Sequence, residues 1–185
     1  MNHNHNCECG SYDGPMTPQQ HQRIHFGRTL CETWLNDAAS GDANLQVLSV
    51  VAVRTFIGAA PTFHDRIVRL TGLIDYLARR CAAQLPTKFD EFGFWVIQNG
   101  PFAGPTIDET TPEARVAIRL MIAHVNGDEV HARDLILGFV NGLPTNDLPD
   151  QLSDVFFCLT ELYLWLRRNR DNCPAGKKRA AKHDL

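Results

Sequence analysis

The chain has 185 residues, of which 44% are apolar and 21% charged, and its formal net charge is −3. That length supports one domain with a genuine core, and this composition excludes a largely disordered chain. The small net charge gives no global reason to expect a nucleic-acid or membrane partner. Cys31, Cys81 and Cys158 each sit inside an apolar helical pattern, which argues against a disulfide scaffold.

The first sixteen residues hold a Cys/His-rich segment. Cys7 and Cys9, then His21 and His25 after an eleven-residue gap, make up two thiolates and two imidazoles, the donor set of tetrahedral structural zinc. Gly10 allows the backbone to fold back toward a metal after the second cysteine. Only Glu8 separates the cysteines, which is tighter than the usual finger turn. Two other readings share the segment. It is also a polar end with free thiols, and the Asn-His alternation from Asn2 to Asn6 has the composition of an affinity-tag remnant. A free amine with His3 would suit Cu(II) or Ni(II), as at any such terminus.

Thr17-Pro18, with Gln20 at the third helical position, predicts a capped helix from about Pro18 to Ala39. Ile24, Leu30, Cys31, Trp34 and Leu35 form its inward face. Ser40-Gly41-Asp42 closes it, and a very apolar helix follows over about 43–58. Thr62 caps a third, over about 63–84, with Ile67, Leu70, Leu73, Ile74 and Leu77 as its stripe and Arg66, Arg69, Arg79 and Arg80 on the other side. A short aromatic helix is expected over 89–98, then a Gly-Pro loop over 99–111.

Thr111-Pro112 opens a helix to Val125, Asn126-Gly127 breaks it, and Asp128 caps another to about Val140. The last helix, about 149–168, is apolar on nearly every face from Val155 to Leu166 and should be central. No stretch alternates with period two. The expected fold is therefore all-α, a single-domain bundle of about six to seven helices over 17–170, followed by a tail over 171–185. Val51-Ala52-Val53-Arg54 is echoed by Val116-Ala117-Ile118-Arg119, as duplicated helical hairpins would produce; with no full repeat signature, chance similarity of amphipathic helices is the favoured explanation.

Neither apolar run, 45–60 nor 155–166, reaches about eighteen uninterrupted apolar residues, so no membrane span is expected. With no secretory leader recognisable, the reading is a reducing, cytoplasmic setting. From Arg167 onward seven Lys or Arg stand against Asp171 and Asp184. Lys177, Lys178, Arg179 and Lys182 in that tail are the candidate contacts for nucleic acid.

Catalytic chemistry is thinly represented. His25, the pair His64-Asp65, and Asp128 or Asp134 stand in an order that resembles helical HD-type hydrolases, which implies metal-dependent phosphohydrolysis. Arg66 departs from that pattern, where the family buries an apolar residue. Thr62, His64 and Asp65 also read simply as helix-start residues. Arg119 to Gly138 has a helix-turn-helix outline, but Asp128, Glu129 and Asp134 would face phosphates unfavourably. The expected function is thus a non-catalytic binding, adaptor or regulatory protein with structural zinc, working through a protein partner or self-association. Phe89, Phe92, Phe94, Trp95 and Phe102 are its candidate interface, since aromatic residues crowded beside a loop are typical of contact surfaces.

Overall fold

The computed structural model describes residues 17–85, 99–102 and 107–169, all of it helix, turn or loop with no strand among those residues. Six α-helices with bounds among the described residues run in the order α1 (Pro18–Ser40), α2 (Ala43–Gly58), α3 (Phe63–Ala82), α4 (Pro112–Val125), α5 (Glu129–Gly142) and α6 (Leu148–Asn169), with a 3-10 turn at Ile107–Glu109 before α4. The all-α bundle expected from periodicity is the fold observed.

Local chemistry sets the helix starts. Thr17 accepts from the Gln20 amide while the Gln20 side chain accepts from the Thr17 amide at 2.7 Å, a reciprocal capping box with Pro18 just inside. Thr62, Thr111 and Asp128 cap α3, α4 and α5 through their side-chain oxygens alone, each satisfying an amide in the first turn that has no partner within the helix. Gly41 and Gly127 adopt φ of 75° and 71°, the left-handed conformation that lets the chain reverse after α1 and α4.

The α3 and α6 helices form the central pair, and α4 packs on both. Leu77 and Cys81 of α3, Leu120 and Met121 of α4, and Val155, Leu159 and Leu162 of α6 are completely inaccessible. This is the placement expected of α6 from its near-continuous apolar run. The α1 helix lies against α3 and α6, and α2 lies mainly on α1. Gly27 permits the close fit there: a Cβ would sit 3.3 Å from Leu73 Cδ2 and 3.4 Å from Phe56 Cζ. Ile24 and Leu30, expected to face inward, are only half-buried, because α1 is covered fully just around Cys31, Trp34 and Leu35. The sequence echo falls on peripheral α2 and central α4, so its two copies occupy different settings.

Polar groups inside the bundle are paired over long sequence distances. Trp34 Nε1 donates to Thr160 Oγ1 at 2.8 Å, and Thr160 donates in turn to the Phe156 carbonyl at 3.0 Å. His124 of α4, its side chain 3% exposed, holds Nε2 3.0 Å from Asp75 Oδ1 of α3. Arg79 Nε reaches Asp75 Oδ2 at 3.0 Å, and its terminal nitrogens grip both Glu129 oxygens of α5. One ionic chain therefore ties three helices together.

Candidate functional site

The α2 helix is the most apolar of the described helices, and Arg54 is the sole charged residue in Ala43–Gly58. A helix apolar all round normally lies inside a protein. Here only Ser49 and Val53 are buried. Ser49 donates to the Asp37 carboxylate of α1 and Val53 joins the core, while Val50, Phe56 and Ile57 pack against it. The opposite face carries Val47, Leu48 and Val51 at one helical stripe, and these are 62%, 64% and 55% exposed. Asn44 and Thr55 bracket the stripe, both uncharged and exposed.

The apolar surface continues sideways. A groove of about 60 Å³ separates α2 from α6, lined by Val50, Val53, Arg54 and Ile57 on one side and by Ser153, Phe156 and Phe157 on the other. Trp34 shares this lining, its ring centroid 6.1 Å from that of Phe157, which is 41% exposed. Exposed apolar side chains standing singly are ordinary, whereas a contiguous set on a helix with a single charge is a candidate contact surface. Periodicity carried one signal of this site: an almost charge-free helix sixteen residues long.

The residues nominated from sequence distribute differently. Phe89, Phe92, Phe94 and Trp95 lie outside the described residues, as do Cys7, Cys9, Lys177, Lys178, Arg179 and Lys182. Phe102 is half-buried and packed against the core. His21 and His25 both lie on α1, one turn apart, His21 half-buried and His25 exposed. Among the described residues no group of three His, Cys, Asp or Glu side chains could hold a metal ion.

His64 is exposed at the start of α3, where Asp65 accepts from the Thr62 hydroxyl at 2.6 Å and so serves the helix cap. Asp128 likewise caps α5 through the His131 amide at 2.9 Å. The three cysteines of the described core are free. Burial, with Glu32 adding to it, pushes the Cys31 thiol up to about 12. Burial also raises the Cys158 thiol to about 11, and Cys81 goes up as well. Protonated at neutral pH, none of the three is a ready nucleophile.

No helix among the described residues is long and apolar enough to cross a membrane. No protein-family model, no curated protein and no solved structure matches the chain, so the candidate site rests on its own geometry.

Proposed function

We propose that this chain is a non-catalytic binding protein of a reducing, cytoplasmic setting that acts through a protein-protein surface, with the outer face of α2 pairing two copies. The observation behind the proposal is the uncovered stripe of Val47, Leu48 and Val51 on a helix with a single charge. A face whose one charge, Arg54, stands at its end offers little for a charged partner to complement, and the cores of interfaces are depleted of charge. A second α2 matches it. In a two-fold antiparallel pairing the same patch meets itself, the stripe overlaps its own centre near residues 48–51, and the two Arg54 side chains stay about nine residues, roughly 13 Å, apart along the axis. Parallel pairing would set Arg54 against Arg54.

Sedimentation across a concentration series tests this reading. The native chain is expected to associate reversibly, and Leu48→Asp or Val51→Asp to remain monomeric at the concentrations where it does. Both positions are exposed, so folding should change by about 0.5 kcal/mol or less, with an unaltered circular dichroism spectrum. A native chain that is monomeric throughout, or association untouched by either substitution, would reject the proposal.

A structural zinc ion is proposed as a separate feature. Its support is that His21 and His25 lie on one face of α1, as two ligands from a helix must. Metal analysis of the untagged chain is expected to find one zinc per molecule, lost in Cys7→Ser and in His25→Ala. Removal should leave the thermal midpoint of the bundle nearly unchanged, because α1 is anchored further along by Cys31, Trp34 and Leu35. A metal-free native protein would dismiss the site.

A further inference from the structure

His124 stands in the last turn of α4 with its side chain 3% exposed, and its Nδ1 is buried without a hydrogen-bond partner. A buried polar atom in that state is costly and calls for an explanation. The other ring nitrogen fixes its character. Nε2 lies 3.0 Å from Asp75 Oδ1, and that carboxylate, paired with Arg79 Nε at 3.0 Å, can only accept. Nε2 therefore carries the hydrogen of the neutral ring, and Nδ1 presents a lone pair. Glu129 Oε1 of α5 faces that lone pair at 3.8 Å and is itself an acceptor. Neutral His124 thus sets two acceptors opposite each other with no hydrogen between them.

The charges around the ring point the same way. Its two carboxylate neighbours, Asp75 of α3 and Glu129 of α5, share one cation, Arg79. Asp128, just before α5, accepts from the His131 amide. No charged side chain of α6, the third helix packed on α4, pairs with the ring among the described residues. Two carboxylates against one guanidinium leave a single negative charge, which a proton on the imidazole cancels.

The helix that Glu129 begins is lightly held. It packs on α4, with Ala132 buried and with Val130 and Leu137 exposed. Toward α1 and α3 it borders a cleft of about 580 Å³, to which it contributes Ile136 and Leu137. At its first turn Glu129 joins it to α3 through Arg79.

We propose that His124 is a proton-operated latch on α5. A proton taken from solvent places a hydrogen on Nδ1, which then donates to Glu129 and draws the first turn of α5 onto the α3–α4 pair. Its loss restores a lone pair opposite the carboxylate and loosens that end of the helix, and with it one wall of the cleft. Closure takes up a proton, so the closed form gains as pH falls and is lost as pH rises. Imidazole is the side chain that changes charge between about pH 5 and 8, which sets the working range. No residue of α2 takes part, so the latch stands whether or not the chain self-associates.

Nitrogen-15 NMR of the full chain from about pH 8 to about pH 5 tests it, reading the His124 ring and amide exchange together. The Nδ1 resonance is expected to move to its protonated position as pH falls. Opening of α5 is taken from exchange corrected for its intrinsic pH dependence and referred to the amides of α6. It should become about three- to tenfold rarer across that range. Glu129→Ala removes the acceptor at an exposed position, and should loosen α5 while erasing its pH dependence. Arg79→Gln removes the permanent clasp and keeps the acceptor, so α5 should loosen at every pH and stay pH-dependent. An Nδ1 that never gains its proton, an α5 that opens equally at both ends of the range, or the native pH dependence retained in Glu129→Ala would each overturn the latch.

Discussion

Leu159→Ala is expected to destabilise the protein by about 2–5 kcal/mol, the usual cost of emptying a deep core position. Leu159 is completely inaccessible on α6, and its carbonyl accepts from the Cys81 thiol of α3 at 3.3 Å, so it sits where the two central helices meet. Truncation removes buried methyl groups and leaves a space that the backbone contact prevents from closing. Leu162→Ala, equally inaccessible, should behave alike. Urea unfolding supplies the measurement, with Val47→Ala on the outer face of α2 as the comparison. A loss below about 1 kcal/mol for both leucines, the regime of surface positions, would show that α6 is not the centre of the bundle.

A second large effect is expected at Asp75. Burial alone would raise its carboxyl, but hydrogen bonds from His124 and Arg79, with the positive charge of Arg79 beside it, outweigh burial and hold it below the ordinary carboxylate value. A carboxyl depressed in the folded state stabilises the fold above its unfolded value of about 3.9, and that stability is lost as pH falls through the depressed value. Asp75→Asn should therefore flatten the acid side of the stability profile below about pH 4. Asp75→Ala should cost about 1–3 kcal/mol near neutral pH, since it leaves the buried His124 ring without its partner. Chemical denaturation of both variants from pH 2.5 to 7 checks this. Parallel acid limbs in the native chain and Asp75→Asn would mean that another carboxylate sets the acid response.

These two residues show what was legible in the sequence. Leu159 could be placed in the core because apolar residues on every face of one helix leave it nowhere else to go. Thr17, Thr62, Thr111 and Asp128 were readable as caps because a cap interacts with residues two or three positions away. Asp75 was not legible as the hub of a network, since its partner His124 lies 49 positions away. The Trp34–Thr160 bond, spanning 126 positions, was equally hidden.

The α2 helix marks the boundary between these cases. Its pattern is as apolar as a central helix, yet periodicity reports which side chains avoid water, and only packing decides whether another element covers them. The arginines of α3 are harder still to read. Arg66, Arg69, Arg79 and Arg80 were all read as one outer side of α3, and the structure separates them: Arg69 donates to the Phe56 carbonyl of α2, Arg79 holds Glu129 of α5, and Arg80 pairs with Glu32 of α1 at 2.7 Å. That division depends on where α1 and α5 come to rest.

The contact between Cys81 and the Leu159 carbonyl has a practical consequence. Its sulfur lies at the junction of α3 and α6, sealed from water and kept protonated. An alkylating reagent can reach it only when those two helices part, an event close to complete opening of the domain. The rate at which Cys81 becomes labelled in the native state thus reads out the opening free energy without any denaturant. The molecule carries its own gauge of unfolding, installed at the junction of its two central helices.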